Sequence, residues 1–305
     1  MSFDQAALQL LNRDLAHPLW DSLAVLLTTV GLVALPAVAV PIWRGARRPL
    51  AMAIVLSQGA GLLAALVMQR VVGRVRPEEA RILLGQPDCF SFPSGHAILV
   101  FGAATVLALS DLPRRWRVGA LLLAVLVGAS RVAVGHHWPT DVVAGAVVGL
   151  GIGLASHGLL ASGSSGVARW RWLLWPWLAA VVVISFAAWL DLLGGLEIPF
   201  SDKQLHFAMF GAVSFWLALW WEAPGRPGGP LRLGRWVPWA LLAPLTLALV
   251  EEVAQHWSPA RTADPVDLAC DLAGMLCCYG LARVVMQLAR WRGWASSLVQ
   301  GQAAR

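Results

Sequence analysis

The residues best suited to chemistry in this 305-residue chain lie in one short segment, SRVAVGHHWPTD, at positions 130–141. His137 and Asp141 are four residues apart, so on a helix they lie on the same face. A carboxylate placed there can hold one imidazole nitrogen and leave the other free to attack an electrophile. Arg131 adds a guanidinium near the start of the segment. The pattern predicts a supported histidine beside a group that binds anions.

Two other segments carry groups of the same kind. PSGH contains Ser94, Gly95 and His96 at the start of a predicted helix, where free backbone N–H groups and the positive end of the helix dipole favour phosphate. The segment RVRP contains Arg74 and Arg76 at the end of the preceding apolar run. Together with the first segment they predict a phosphate-binding site that contains two histidines.

The elements that position these segments are membrane helices. The chain is 58% hydrophobic and 13% charged, with a mean hydropathy of +0.66, whereas soluble domains carry about 25% charged residues. Apolar runs of about 20 residues predict an all-α, polytopic membrane protein with about nine transmembrane helices in two helical bundles. The predicted spans are 22–42, 51–72, 94–111, 117–134, 139–159, 171–190, 204–221, 237–254 and 267–286.

The distribution of arginine predicts the orientation. Fifteen of the 23 basic residues lie in alternate connections and in the C-terminal tail, which should therefore be cytoplasmic. The three polar segments then lie on the outer side. Loop topology also explains the net charge of +6, so no nucleic-acid partner is predicted. The fifteen are Arg44, Arg47, Arg48, Arg114, Arg115, Arg117, Arg169, Arg171, Arg226, Arg232, Arg235, Arg283, Arg290, Arg292 and Arg305.

RP, PSGH and SRVAVGHHWPTD resemble the three signature motifs of the type 2 phosphatidic acid phosphatase family, which are integral-membrane lipid phosphate phosphatases. The family pattern is KxxxxxxRP, PSGH and SRxxxxxHxxxD. The second and third motifs match at every fixed position, and the resemblance covers residues 1–160. The first motif departs from the pattern because Gln69 stands where the family has lysine. Arg70 and Arg74 are the two candidates to replace that lysine.

The resemblance implies a metal-independent phosphotransfer that needs no cofactor. His137, rather than the neighbouring His136, is the expected nucleophile and forms a phosphohistidine, while Asp141 orients it. His96 protonates the leaving oxygen, and water then releases phosphate. The groups expected to hold the phosphoryl oxygens are Arg76, Ser94, Gly95 and Arg131.

The second half of the chain follows a Gly/Ser linker at 161–168. Residues 169–288 resemble the VanZ-like family of four-span membrane proteins, and residues 289–305 form a predicted cytoplasmic tail. Asp271 stands where that family usually has asparagine. No catalytic chemistry is settled for such domains, so the resemblance implies no mechanism. The matching residues are Asp202, Lys203, His206, Glu252, Gln255, Arg261, Asp267 and Gly274.

Three interpretations of this polar set are open. It can be an ion-pair network that joins helix ends, or a site for a lipid headgroup or a glycan precursor. The third interpretation, a metal site formed by His206, Glu252 and His256, lacks a recognised ligand spacing.

The sequence thus predicts a lipid phosphate phosphatase in the inner membrane of a bacterium, with its site facing the outer leaflet. A polyprenyl diphosphate is the favoured substrate, because outward-facing members of the family recycle that carrier and VanZ-like domains are linked to the cell wall. Phosphatidic acid and phosphatidylglycerol phosphate remain open. The alternatives are a lipid phosphotransferase and a catalytically silent lipid-binding or scaffold protein. Nothing in the sequence indicates an oligomeric state.

Overall fold

Helices make up nearly all the regular structure of the protein. The computed structural model describes residues 2–85, 87–163, 166–193, 202–222, 232–233, 237–255 and 265–303. Its α-helices are α1 (Phe3–Leu8), α2 (Pro18–Ala37), α3 (Ala39–Ile42), α4 (Arg48–Val72), α5 (Gly95–Ala108), α6 (Arg114–Ala133), α7 (Pro139–Leu160), α8 (Leu174–Trp189), α9 (Asp202–Glu222), α10 (Trp239–Gln255) and α11 (Pro265–Ala303).

Three short elements interrupt this pattern. A π-helix, Gln9–Asp14, continues α1, and a 3₁₀-helix, Gly166–Leu173, leads into α8. Strands β1 (Arg232–Leu233) and β2 (Val237–Pro238) pair antiparallel, with Arg232 opposite Pro238. This two-residue ribbon is the one departure from the predicted all-α class within the described residues.

Six helical segments of the described chain are long and apolar enough to cross a membrane. The predicted spans 94–111, 204–221 and 237–254 correspond to α5, α9 and α10, which are not among the six. At about 1.5 Å per residue, the 14 residues of α5 extend roughly 21 Å, less than a hydrocarbon core of about 30 Å. The presence of nine transmembrane helices therefore stays a prediction. The six are Pro18–Ile42, Arg48–Val72, Arg114–Ala133, Pro139–Leu160, Arg169–Trp189 and Pro265–Arg290.

The chain divides into two compact units. Unit 1 comprises Met1–Gly163 and Leu178–Leu196, and unit 2 comprises Ser164–Trp177 and Glu197–Arg305. Most of α8 therefore belongs to unit 1, although the sequence predicts that the second domain begins at residue 169.

The apolar face of α8 explains where that helix packs. Val183 and Ala187, which are 2% and 1% exposed, join the buried cluster that contains Phe92 and Ile98 of unit 1. In a membrane span such packing is favoured by close van der Waals contact between helices. The division between the units therefore follows packing rather than the Gly/Ser linker.

Small residues bring α5 and α7 of unit 1 close together. Gly145, Gly149 and Gly153 recur every four residues along one face of α7. A Cβ atom added at Gly149 would lie 2.5 Å from the carbonyl oxygen of Ile98 on α5, and one added at Gly145 would lie 2.6 Å from that of Ser94. Only glycine permits such an approach of two helix backbones, as in other small-residue helix interfaces. This contact fixes the start of α5 beside the start of α7.

Unit 2 is built around α9 and α11, which also meet at glycines. A Cβ atom added at Gly274 would lie 2.1 Å from the carbonyl oxygen of Phe207. Phe210, Ala248 and Met275 form a buried apolar cluster beside this contact. The close approach places the polar starts of α9 and α11 next to each other.

Candidate active site

The start of α5 and the turn before α7 form the core of the candidate site. The peptide N–H of Ser94, the residue before α5, donates to the carbonyl oxygen of Asp141 at 2.9 Å. Gly135 opens the turn between α6 and α7 with a φ of +81°, which a side chain rarely adopts. A Cβ there would also lie 2.6 Å from the carbonyl oxygen of Arg81. The motif PSGH and the third motif are thus brought together as predicted.

His137 is almost completely buried, with 2% of the residue exposed. Its Nδ1 lies 2.8 Å from the carbonyl oxygen of Ser91 and 3.6 Å from Oδ2 of Asp141. A carbonyl oxygen only accepts hydrogen bonds, so Nδ1 carries the proton and Nε2 keeps its lone pair. Nη1 of Arg76 lies 3.3 Å from this Nε2. The unprotonated nitrogen therefore faces a cation.

The electrostatic surroundings keep His137 neutral. Burial lowers the pKa of His137 to about 4, because removal from water penalises the charged ring, although Asp141 opposes this effect. The charges of Arg131 and Arg76 contribute to this lowering of the pKa. At neutral pH the ring is therefore a free base, as a nucleophile must be.

Asp141 is fully buried and contacts three groups. Its Oδ1 accepts a hydrogen bond from Nη1 of Arg74 at 2.6 Å, and its Oδ2 accepts the peptide N–H of Trp138 at 2.9 Å. The carboxylate is thus fixed by a charged partner and a backbone donor, with Oδ2 turned towards His137. The sequence predicts that Asp141 orients His137; the structure adds Ser91 as the partner within hydrogen-bond distance of the ring.

Arg76 is held in place by backbone oxygens. Its Nε donates to the carbonyl oxygen of Cys89 at 2.8 Å, and its Nη2 lies 3.3 Å from that of Phe90. Nη1 also donates to the carbonyl oxygen of His136. With 8% of the residue exposed, Arg76 is a rigidly placed cation at the edge of the His137 ring.

Arg131 is a second buried cation in the same site. Its Nη1 donates to Oγ1 of Thr28 at 2.8 Å, and its Nη2 donates to Nδ1 of His136 at 2.7 Å. Nε2 of His136 lies 3.2 Å from the carbonyl oxygen of Leu84, so that nitrogen carries the proton. Burial, followed by the charge of Arg131, lowers the pKa of His136 to about 4. His136 therefore acts as a neutral support for Arg131.

Two buried donors in the site have no hydrogen-bond partner among the described residues: Oγ of Ser94 and Nε of Arg131. Gly95 begins α5, and peptide N–H groups in the first turn of a helix lack partners within the helix. Because unsatisfied buried donors cost free energy, such groups are normally matched by a ligand, an ion or water. Their chemistry fits the oxygens of a phosphoryl group.

His96 is the second residue of α5 and is half-buried. It makes no hydrogen bond with another residue of the described chain, and the charges of Arg131 and Arg76 act on its ring. A ring without such a partner is able to exchange a proton with a bound ligand.

Gln69, which stands where the family has lysine, has a structural role here. Nε2 of Gln69 donates to the carbonyl oxygen of Pro93 at 3.0 Å, so it supports the loop before α5. Arg70 is exposed at the end of α4. Arg74 lies between two carboxylates, 2.7 Å from Asp4 and 2.6 Å from Asp141. Neither arginine is therefore a buried, unpaired cation that could replace the family lysine as a phosphate ligand.

The polar residues of unit 2 form a separate ion-pair cluster. Nζ of Lys203 lies 2.9 Å from Oδ1 of Asp267, and Nδ1 of His206 lies 3.1 Å from Oδ1 of Asp271. Among the described residues, no group of three potential ligands could hold a metal ion. Arg261 and His256 lie outside the described residues, as does the side chain of Asp202.

Several supporting residues gave no signal in the sequence. Asp4 contacts Thr140 across 136 positions, and Thr28 contacts Arg131 across 103. Ser91 acts through its carbonyl oxygen, which any residue type supplies. Residue patterns identify groups that share an element, whereas these contacts depend on how helices pack.

Comparison with known proteins agrees with the predicted family of the first half of the chain. The sequence profile of the PAP2 superfamily matches residues 50–164. The putative undecaprenyl-diphosphatase YbjG of Escherichia coli is 31% identical over 140 residues, which are 44% of this chain and 70% of that protein. The chain belongs to the PAP2 superfamily of membrane phosphatases.

Two further matches are a second curated relative and a solved structure. The undecaprenyl-diphosphatase of Sulfolobus acidocaldarius is 35% identical over 113 residues, 36% of this chain and 54% of that one. The match therefore spans about half the length of that curated relative. The crystal structure of Aquifex aeolicus LpxE aligns with a TM-score of 0.46 at 24% identity, covering 51% of this chain and 95% of that one.

Proposed function

We propose that this protein is a lipid phosphate phosphatase that works through a phosphohistidine on His137. One observation carries the proposal: a neutral, buried His137 points its unprotonated Nε2 at Arg76, in a site where Ser94 and Arg131 have unsatisfied donors. A nucleophile and a set of anion-binding groups are thus combined, which is the arrangement that phosphoryl transfer requires.

The chemical steps follow from these positions. Nε2 of His137 forms a bond to phosphorus, and the bond from phosphorus to the leaving oxygen breaks. The negative charge of the bound substrate favours the protonated form of His96, which gives its proton to that oxygen. Arg76, Arg131, Ser94 and the backbone of Gly95 hold the phosphoryl oxygens. A water molecule then attacks the phosphohistidine and passes a proton to His96. Inorganic phosphate leaves, and both histidines return to their starting states.

We infer that the substrate is a polyprenyl diphosphate. Both curated relatives described above carry the name undecaprenyl-diphosphatase, one of them as putative. Phosphatidic acid and phosphatidylglycerol phosphate offer the same phosphoryl oxygens to the site and are the competing substrates. The arginine distribution supports an orientation with the site at the outer leaflet. The membrane that we propose is the inner membrane of a bacterium.

A panel of lipids tests the activity and the substrate class together. The purified protein in detergent is given undecaprenyl diphosphate, phosphatidic acid and phosphatidylglycerol phosphate, and phosphate release is measured against the His137→Ala variant. We expect turnover with the highest kcat/KM on the diphosphate. Binding of these lipids without phosphate release indicates a silent lipid-binding protein, and transfer of the phosphate to a second lipid indicates a phosphotransferase.

Thiol labelling in whole cells tests the side of the membrane. In a chain whose four native cysteines are replaced by alanine, a cysteine at Ala80 should react with an impermeant reagent added outside. One at Ala46, in the arginine-rich connection, should not. The inverse pattern would place the site in the cytoplasm and remove outer-leaflet lipids as substrates.

We also propose that the second half of the chain is a VanZ-like domain at 169–288, with a cytoplasmic tail at 289–305. The support is that Lys203 and His206 at the start of α9 meet Asp267 and Asp271 at the start of α11. These pairs join two helix ends, so they favour the interpretation as an ion-pair network. Reversing one pair tests it: Lys203→Asp should lower the Tm, and the added change Asp267→Lys should restore part of the loss.

A further inference from the structure

A carboxylate outside the part of the chain matched by the PAP2 profile lies beside the candidate active site. Asp4 belongs to the short N-terminal helix α1, and only 9% of it is exposed. Its Oδ1 accepts the peptide N–H of Thr140 at 2.9 Å, and its Oδ2 accepts Oγ1 of the same residue at 2.7 Å. A buried carboxylate is costly unless it is paired and hydrogen-bonded. This one is, because Nη2 of Arg74 lies 2.7 Å away.

Arg74 connects Asp4 to the catalytic dyad. Its Nη1 donates to Oδ1 of Asp141 at 2.6 Å and to Oγ1 of Thr140 at 2.7 Å. Its guanidinium also stacks over the ring of Trp138, 5.4 Å from the centroid. Four contacts thus fix one guanidinium between two carboxylates. The second carboxylate has its other oxygen 3.6 Å from Nδ1 of His137.

We propose that Asp4 and Arg74 are positioning residues that set the charge and the orientation of Asp141 behind the nucleophile. This inference rests on the proposed phosphohistidine function. The two carboxylates and the guanidinium carry a net charge of −1 as a group. When Nε2 of His137 bonds to phosphorus the ring becomes cationic, and a net negative charge behind it stabilises that state. Arg74 limits the negative charge of this group to −1. Asp4 prevents Arg74 from neutralising Asp141 completely.

The other charged and titratable groups around His137 belong to different elements and stay unchanged in the variants below. They contribute a constant background, in which the arginines oppose a positive ring and Asp141 favours it. These groups are Arg76 and Cys89 in the segment between α4 and α5, His96 on α5, Arg131 on α6 and His136 in the same turn.

Two substitutions change the charge of the group in opposite directions. Asp4→Asn raises it from −1 to 0, which disfavours a protonated His137 and moves the acid limb of the kcat/KM profile to lower pH. Arg74→Gln lowers it to −2, which moves that limb to higher pH. Both should reduce kcat by about tenfold or more, the scale on which loss of a supporting side chain affects a site. Arg74→Lys keeps the net charge of −1, so the acid limb of its kcat/KM profile should lie at the same pH as in wild type.

Two matched controls separate this effect from a general loss of packing. Asp14→Asn removes an exposed carboxylate that accepts from Gln9. Arg81→Gln removes a guanidinium that pairs with Asp21 and donates to the carbonyl oxygen of Asn12. Both controls should behave as wild type. The inhibition constant of inorganic phosphate should be unchanged in the Asp4 and Arg74 variants, because neither residue touches the phosphoryl group.

The outcomes decide between three roles. Limb shifts of opposite sign with unchanged phosphate inhibition support the proposal. Shifts of one sign, or none, would mean that Asp4 and Arg74 only hold α1 in place. Weaker phosphate inhibition in Arg74→Gln that Gln69→Lys restores would make Arg74 a phosphate ligand and overturn the proposal.

A titration that needs no turnover separates failure of this inference from failure of the proposed function. The ¹⁵N NMR signals of histidine-labelled protein in detergent, assigned with His137→Ala, report protonation of His137 directly. The same opposite shifts are expected in Asp4→Asn and Arg74→Gln, even if no lipid of the panel is hydrolysed. Identical titrations in wild type and both variants would contradict the inference whatever the substrate.

Discussion

Each unit of this protein buries a histidine next to aspartate, but the two histidines are placed in opposite electrostatic surroundings. In unit 1, Nδ1 of His137 lies 2.8 Å from a neutral carbonyl oxygen and Nε2 faces Arg76 at 3.3 Å. In unit 2, Nδ1 of His206 lies 3.1 Å from Asp271 and Nε2 lies 3.9 Å from Asp267. One ring therefore presents a lone pair to cations, and the other presents both nitrogens to anions.

This difference shows that a histidine next to an aspartate does not by itself make an anion-binding site. Phosphoryl transfer needs cations around the position where negative charge collects. Arg76 and Arg131 supply them in unit 1, with 8% and 3% exposure. The carboxylates on both sides of His206 would instead repel a phosphate. We therefore propose that the chemistry belongs to unit 1 and that the cluster in unit 2 has a stabilising role.

The largest expected effect comes from removing each histidine in turn. His137→Ala should lower kcat/KM on the order of 10⁴-fold or more, because loss of a nucleophile leaves only the catalysis from transition-state binding. His206→Asn should leave kcat/KM unchanged, although it can lower the Tm. Steady-state kinetics on undecaprenyl diphosphate compares the two variants. A large loss of kcat in a folded His206→Asn variant would break the division of roles between the units.

His96 should give a smaller effect that depends on the substrate. The leaving alkoxide of a monophosphate lipid is about as basic as hydroxide, since water has a pKa of about 15.7, and needs a proton as it departs. A leaving lipid phosphate is far less basic, because the second pKa of a phosphomonoester is about 6. General acid catalysis is worth roughly 10²–10⁴-fold. His96→Ala should therefore lose more activity on phosphatidic acid than on a polyprenyl diphosphate.

Steady-state kinetics of His96→Ala and wild type on both lipids provides the measurement. The ratio of the two losses matters, because it cancels any general effect of the substitution on folding or detergent behaviour. Equal losses on the two substrates would mean that His96 binds phosphate and does not act as the acid.

The smallest expected effect is the pH dependence of stability. The pKa of His137 and of His136 is lowered by burial to about 4, whereas an unfolded histidine titrates near about 6.5. Between these values the unfolded state binds protons that the folded state does not, so stability falls as pH is lowered. The Tm in detergent should decrease from pH 7 to pH 5, and less so in His136→Asn. An equal decrease in that variant would mean that other groups cause it.

The comparison of the units also shows what a sequence can predict. The third motif contains Arg131, His137 and Asp141 at the end of α6, in the following turn and at the start of α7, so local spacing groups them. The PSGH motif predicts the start of α5. The glycine repeat of α7 allows the start of α5 to lie beside the turn before α7. The residues with the clearest patterns are those whose neighbours are close in sequence or belong to a short motif.

The remaining parts of the site depend on contacts between distant helices. Asp4 lies in an N-terminal segment that carries none of the three motifs, yet its carboxylate is buried against Arg74 and Thr140. Helix α8 follows the predicted linker but packs with unit 1 through Val183 and Ala187. Apolar periodicity predicts that one face of a helix is buried, but it does not predict which element packs against that face. Such contacts therefore cannot be predicted from the sequence.

Trapping of the phosphorylated protein tests the central claim most directly. A polyprenyl diphosphate labelled with ³²P in its terminal phosphate is mixed with the protein in detergent, and the reaction is stopped in alkali. The unit 1 site predicts label on the protein that is stable to alkali and lost in acid, as expected for phosphohistidine, present in wild type and in His206→Asn and absent in His137→Ala. Label that persists in His137→Ala, or turnover of the lipid with no labelled protein at any time, would contradict it.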